Sequence, residues 1–214
     1  MRTRRQVRTP PVGRHHGVVS DPAAAKKALR ADLIRRRDAL SDGDRAQVSA
    51  ALARHLGDAP VAIGPDSTVC AYVSIGTEPP TGPLLAAIAE TGARVLLPIS
   101  LPGTPSPLEW AVADGPDALA PGRFGLLEPT GERLGPDAVS RADLVFVPAL
   151  AVDTRGVRLG RGAGFYDRSL VGARGALIAV VHDDEVLPHV PGDAHDIPMT
   201  WALTPTGGFR SLGG

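Results

Sequence analysis

The chain has 214 residues, 21% of them charged and 43% hydrophobic, with 23 Lys and Arg against 23 Asp and Glu. That length suits one domain with a proper core, no apolar run is long enough to span a bilayer, and a single cysteine excludes an intrachain disulfide. Five arginines fall within residues 1–20, leaving 18 basic against 23 acidic residues beyond them. A duplex-binding domain carries a basic excess on its folded part, so a small-molecule role is expected, without nucleic acid or membrane as partner.

Residues 1–20 hold Arg2, Arg4, Arg5, Arg8 and Arg14 and no acid. They lack the apolar stretch of a secretory signal. With Pro10, Pro11 and Gly13 they read as a disordered basic tail ahead of a single domain over 21–214, the alternatives being a transit peptide or a nucleic-acid arm. Asp21-Pro22 predicts a helix start, with an N-cap followed by proline at the first helical position. Leu29, Leu33 and Leu40 recur at helical spacing and are expected in the core. Lys26 and Arg30, four apart, project from one side of that helix. Ser41 with Asp44 predicts a second start, Val48, Leu52 and Leu56 its apolar stripe, and Gly57 its stop.

From residue 68 the pattern changes. Strands are predicted over 68–73, 94–99, 108–113, 144–150, 176–181 and 199–203. A helix is predicted from Thr81 to Glu90, ended by Gly92, and a short one over 165–171. Residues 114–142 read mostly as loop, long enough to help shape a site. Cys70 lies in an apolar run and reads as a core residue, consistent with a reducing compartment. Strands alternating with helices predict an α/β fold, a Rossmann-like three-layer α/β/α sandwich with a mostly parallel sheet. Ligands in such sheets bind beyond the carboxyl ends of the strands. Glu78 and the segment after residue 150 each follow a predicted strand, so both can reach one crevice.

That later segment carries the chemistry. Gly156, Gly160, Gly162 and Gly164 are interleaved with Arg155, Arg158 and Arg161, and the run closes on Phe165, Tyr166 and Asp167. Successive backbone N–H groups in a glycine-rich loop form an anion-binding nest, and arginines add fixed positive charge. The combination points to a phosphorylated ligand. It lacks the Gly-Lys-Ser/Thr ending of the common phosphate loop and the spacing of the dinucleotide fingerprint. Taken alone, it reads equally as a tight turn before a helix.

The string Arg158-Leu-Gly-Arg-Gly-Ala-Gly-Phe-Tyr-Asp167, preceded by Val147-Pro-Ala-Leu-Ala-Val-Asp153 and Gly156, resembles the signature of the 5-formyltetrahydrofolate cyclo-ligases, also called methenyltetrahydrofolate synthetases. Lys26-Lys-Ala-Leu-Arg30, Tyr72-Val-Ser-Ile-Gly-Thr-Glu78 with Thr81, Phe124-Gly-Leu-Leu-Glu-Pro129 and His195-Asp196 are similar to further family segments, in the same order. The resemblance spans roughly residues 22 to 205.

It implies an ATP- and Mg²⁺-dependent ligase of folate one-carbon metabolism, cytoplasmic and monomeric, that cyclises 5-formyltetrahydrofolate to 5,10-methenyltetrahydrofolate through a phosphorylated formyl oxygen. It assigns ATP contacts to Lys26, Arg30, Arg158, Leu159, Gly160, Arg161, Gly162, Ala163, Gly164, Phe165 and Tyr166. Folate contacts fall on Val73, Glu78, Phe124, Arg161, Gly162, Ala163, Gly164 and Phe165. Catalytic roles fall on Arg158, Arg161 and Tyr166, and Mg²⁺ on Asp167 and Asp196. Three positions depart from the family: Pro80 and Thr200 stand where relatives often carry an acid, and Phe165 where many carry tyrosine. Against this reading stand a sugar-phosphate isomerase or coenzyme A transferase, which need no ATP, and a noncatalytic folate-binding relative. His182 follows a strand and reads as a structural histidine, and no Gly-x-Ser-x-Gly elbow of a hydrolase occurs.

Overall fold

The computed structural model describes residues 22–103, 106–113, 115, 118–122, 127–193 and 196–213. The basic tail and Asp21, the expected N-cap, lie outside these. Helix α1 runs Pro22–Asp38. Leu33 is fully buried and Leu29 half-buried, while Leu40 falls beyond the helix end in the turn. Helix α2, Asp42–Arg54, opens on the expected cap. The Ser41 hydroxyl accepts the Asp44 N–H at 3.1 Å and the Asp44 carboxylate accepts the Ser41 N–H at 3.2 Å, a reciprocal arrangement that satisfies two orphan donors. Leu52 is buried, with Val48 and Leu56 packed beside it. Gly57 falls inside a 3₁₀ turn, His55–Asp58, that prolongs the helix.

Next come β1 (Thr68–Cys70), α3 (Gly82–Glu90), β2 (Arg94–Ile99), β3 (Glu109–Val112), β4 (Leu119–Pro121), β5 (Leu127–Pro129), β6 (Arg133–Gly135), β7 (Leu144–Pro148), β8 (Ala151–Asp153), β9 (Arg158–Leu159), α4 (Phe165–Ser169), β10 (Ala176–Val180), β11 (Val186–Leu187), β12 (Trp201–Thr204) and β13 (Gly208–Ser211). The main sheet has the order β13-β12-β10-β7-β1-β2-β3-β6. Its centre, β12 to β2, is parallel throughout, and antiparallel strands close both edges. The fold is the predicted α/β one.

Side chains alternate across this sheet as the pleat requires. Val69, Val95, Leu144, Phe146, Ile178 and Leu203 face α2 and α3. Cys70, Leu96, Val145, Val147, Ala179 and Ala202 face the other way, onto the 3₁₀ turn Pro136–Arg141 and Leu170. Leu144 to Val147 are all fully buried, the mark of a strand covered on both faces. Cys70 is a fully buried core residue as expected, and burial holds its thiol well above the ordinary range.

Several boundaries differ from the sequence reading. The strand predicted over 68–73 ends at Cys70, although the Ala71 N–H still donates to the Leu96 carbonyl. Residues 114–142 are not mostly loop: β4 and β5 form a hairpin and β6 joins β3 at the sheet edge. Three-residue strands interrupted by proline and glycine carry no periodic signal. The strand predicted over 144–150 stops at Pro148, and the chain crosses into a separate small sheet, β11-β8-β9. The last predicted strand is shifted to Trp201–Thr204 and pairs with β13, which the sequence reading missed although Gly207-Gly208 marks the turn.

Candidate active site

A cavity of about 550 Å³ opens beyond the carboxyl ends of β1, β2 and β7, with α1 and the small sheet closing its far side. Helix α1 reaches it through one stripe. Leu33 packs with Leu150, Leu159 and Val190 under the small sheet, which turns Lys26 and Arg30 into the cavity.

The glycine-arginine segment begins as a hairpin, not as a loop directly after the central strand. Asp153 at the end of β8 is fully buried and organises the turn. Its carboxylate accepts the N–H groups of Arg155 at 2.9 Å, Val157 at 3.0 Å and Val190 at 3.1 Å, and the Arg155 guanidinium at 2.7 Å. Gly156 lies so close to the Met199 carbonyl that a Cβ would collide with backbone. Beyond β9 the chain folds over the cavity mouth. Arg30 Nε donates to the Gly160 carbonyl at 2.9 Å, pinning the loop to α1. Gly162 has φ +103° with the Arg30 guanidinium over it, a conformation that L side chains rarely adopt.

The two arginines of this loop part company. Arg158 turns inward and its side chain is only 6% exposed. It donates to Asp167 Oδ1 at 2.6 Å and to the Pro148 carbonyl at 3.1 Å, and lies 5.8 Å from the Tyr166 ring centroid. Arg161 turns across the mouth and donates to Glu78 Oε1 at 3.2 Å. Glu78 is buried and its other oxygen accepts the Ile75 N–H at 2.9 Å. The loop that presents Glu78 is closed by Thr81, whose hydroxyl accepts the Ser74 N–H and donates to the Tyr72 carbonyl. Burial, reinforced by the Glu78 charge, holds the Tyr166 phenol well above its ordinary range, in its neutral form.

Opposite the loop, Lys26 Nζ lies 2.6 Å from Asp193 and 3.4 Å from Asp196. Burial opposes the ammonium, but the hydrogen bond to Asp193 and the charges of Asp196 and Asp193 outweigh it and raise the Lys26 pKa. The Asp196 carboxylate also accepts the Asp193 N–H at 2.7 Å.

Lys26, Arg30, Val73, Glu78, residues 158–164, Phe165, Tyr166, Asp167 and Asp196 therefore line one cavity. Phe124 and His195 fall outside the described residues. Thr200 does not line the cavity. Its hydroxyl is tied to Leu177 near the amino end of β10, away from the carboxyl ends of the strands where the cavity's acids lie. His182 caps the turn Asp183–Glu185 and lines a separate surface recess with His55 and Asp184.

Sequence reading missed Arg37, Tyr72 and Asp193, which also line the cavity. Arg37 hid within a run of three arginines, although its spacing from Lys26, Arg30 and Leu33 puts it on the same helical stripe. Apolar contributions from Pro98, Leu108, Leu127 and Leu150 come from four separate segments, and no local pattern announces them.

A divalent cation fits this donor set in one way. Among the described residues no group of three or more His, Cys, Asp or Glu is gathered for a metal. Mg²⁺ needs only one or two protein carboxylates when phosphate oxygens and water complete its shell. The hydrogen bonds of Asp167 fall on Oδ1 and those of Asp196 on Oδ2, so both carboxylates remain suited to such a shared site. Among the described residues no helix is long and apolar enough to cross a membrane.

An α/β scaffold with a basic, glycine-rich cavity at the carboxyl edge of its parallel strands defines a class of enzymes that bind phosphorylated ligands. Within that class the chain belongs to the 5-formyltetrahydrofolate cyclo-ligase family, whose model matches residues 22–205. It is accordingly an enzyme, a ligase. It is 42% identical over 193 residues to the 5-formyltetrahydrofolate cyclo-ligase of Mycolicibacterium smegmatis, covering 88% of this chain and 97% of that one. It is 30% identical over 142 residues to that of Escherichia coli K12, covering 65% and 78%. The NMR structure of Aquifex aeolicus 5,10-methenyltetrahydrofolate synthetase superposes with a TM-score of 0.75 at 30% identity, covering 88% of this chain and 93% of that chain.

Proposed function

We propose that the protein consumes ATP to close 5-formyltetrahydrofolate into 5,10-methenyltetrahydrofolate. The observation that carries this reading is the convergence of Lys26, Arg30, Glu78 and the 158–167 segment on one cavity, joining an anion-binding lip to a buried carboxylate and an apolar floor.

A formyl amide oxygen is a weak nucleophile and a worse leaving group. Phosphorylation answers the second problem. The formyl oxygen attacks the γ-phosphorus and ADP departs. The neighbouring N10 then attacks the formyl carbon, loses its proton, and phosphate leaves with the former formyl oxygen. Catalysis of such a transfer is largely positioning and charge neutralisation. The backbone N–H groups of residues 160–164 suit the phosphates, with Lys26, Arg30 and Arg161 supplying positive charge beside them. Arg158, through its pair with Asp167, fixes the start of α4, and Tyr166 is held as a neutral donor beside it. Glu78 suits the amino-pyrimidine edge of the pterin, and Val73 and Phe165 suit its faces. Asp167 and Asp196 would hold Mg²⁺, which supplies charge neutralisation to the phosphates when bound.

The test is direct. Protein, ATP, Mg²⁺ and 5-formyltetrahydrofolate are mixed and the near-ultraviolet absorbance of the methenyl product is followed. Product is expected only with ATP present. Tight folate binding with no product would favour a noncatalytic binder, and ATP-independent turnover would overturn the reading.

A further inference from the structure

Three cavity-lining residues, Arg37, Tyr72 and Arg158, each have a buried donor with no partner among the described residues. The Arg158 donor, Nε, belongs to a side chain already tied to Asp167 and Pro148. The other two are Nη1 of Arg37 and the Tyr72 hydroxyl. Arg37 is 1% exposed and Tyr72 is 3% exposed, yet both line the cavity. Folded proteins seldom leave such groups unsatisfied, and where they do, a ligand is a ready explanation.

The rest of Arg37 is firmly held. Its Nε and Nη2 grip the two oxygens of Glu185 at 2.6 and 2.7 Å, and Nη2 also donates to the Ala149 carbonyl at 2.7 Å. Glu185 is itself buried and accepts the His182 N–H at 2.7 Å. The guanidinium is thus locked in a fork with its charge balanced, and Nη1 is its one nitrogen that is buried without a partner among the described residues. A balanced ion pair of this kind suits a neutral acceptor better than a phosphate.

Tyr72 stands where β1 leaves the sheet, at the root of the loop that carries Glu78. Burial first, and the Glu78 charge second, hold its phenol well above the ordinary range. It therefore offers O–H at any working pH. Glu78 is an acceptor and Tyr72 a donor, both on one short segment after β1 and both lining the cavity. The pyrimidine edge of a pterin presents the matching order: the 2-amino group and N3–H as donors, then the 4-carbonyl oxygen as acceptor.

We infer that the Tyr72 hydroxyl, with Arg37 Nη1 behind it, donates to the 4-carbonyl oxygen of the bound pteridine, so that Tyr72 and Arg37 are specificity residues for the oxo form of the ring. This rests on the folate reading above and adds two residues and one ring position to it.

The experiment compares binding of 5-formyltetrahydrofolate, its 4-amino-4-deoxy counterpart and ATP to the wild type, Tyr72→Phe and Arg37→Lys, by calorimetry, with thermal melts to show that each is folded. Tyr72→Phe removes one oxygen and leaves the ring in place. The 4-amino analogue presents a donor where the natural ring presents an acceptor. The wild type is expected to prefer the oxo ligand. Tyr72→Phe is expected to weaken that ligand about tenfold, a difference of about 1.4 kcal/mol, while the analogue and ATP bind as before. Arg37→Lys, which keeps a cation on Glu185 but loses the fork, is expected to move the same way.

An unchanged ratio of the two folates in Tyr72→Phe would overturn the inference. Equal weakening of both folates would also overturn it, by assigning the hydroxyl to packing. A wild type that binds neither folate overturns the folate reading itself, an outcome that the ratio cannot mimic.

Discussion

Arg161 Nε stands 3.2 Å from Glu78 Oε1, joining the glycine-arginine loop to the loop after β1 across the mouth of the cavity. The two residues are 83 positions apart in sequence. Arg161 is 44% exposed and Glu78 only 7%. An ion pair that is half open to solvent adds little to stability, so what it does is tie two cavity-lining loops together.

Glu78→Ala is therefore expected to leave the melting temperature close to that of the wild type but to weaken 5-formyltetrahydrofolate binding by about 1.5–3 kcal/mol, the range for a hydrogen bond to a charged group. ATP binding should change far less, because the lip of residues 160–164 is also held by Arg30. Calorimetry with each ligand separately checks this, and unchanged folate affinity would remove Glu78 from the folate site.

The local rules read well where the chain is locally determined. Ser41 and Asp44 announced their cap because its bonds join residues three apart. The central strands announced themselves as apolar runs because both faces are covered. The glycines of residues 160–164 were conspicuous as a cluster, and two of them, Gly162 and Gly164, take the positive φ that favours glycine. Arg37 and Tyr72 were not legible in the same way. An arginine in Arg35-Arg36-Arg37 reads as solvated, and only the arrival of Glu185 from 148 residues away makes it buried. Tyr72 reads as one more apolar strand residue until the strand is seen to end two residues earlier. The edge strands β4 to β6 were lost because proline and glycine in three-residue segments erase the period on which strand reading depends.

Arg158 and Gly162 separate two functions within one loop. Arg158→Ala removes the donor to Asp167 and to the Pro148 carbonyl. It is expected to lower turnover by ~10²-fold or more if the pair shapes the phosphoryl-transfer site, and stability by about 1–3 kcal/mol from the acceptors left behind. Gly162→Val acts on the ligand side. At φ +103° a β-branched residue is strained, and relaxation of the loop would tilt its N–H groups away from the phosphates. ATP affinity should fall sharply while the core, which Gly162 does not touch, melts normally. Normal ATP binding by a folded Gly162→Val protein would reduce the loop to a structural turn.

Asp153 gives the fold a defined acid sensitivity. Burial of its carboxylate disfavours the charge, but the Arg155 side chain and the N–H groups of Val190, Val157 and Arg155 outweigh that and hold its pKa below the ordinary carboxylate range. A group whose pKa is depressed by folding stabilises the native state above its unfolded value, about 3.9, and that contribution is lost as pH falls through the folded value. Asp153→Asn keeps the shape, loses the charge and turns an NH₂ towards donors. At neutral pH it should cost about 3 kcal/mol, as expected for breaking a buried charged arrangement. Because β8, β9 and the turn at Gly156 hang on this carboxylate, the loss should also loosen the 158–164 segment and reduce turnover. The difference in stability between wild type and variant should shrink as pH falls below about 4, since the wild type then loses what the variant never had. Urea unfolding of both proteins at neutral pH and in mild acid measures this, and a gap that stays constant across that range would show that ionisation of Asp153 does not hold the hairpin together.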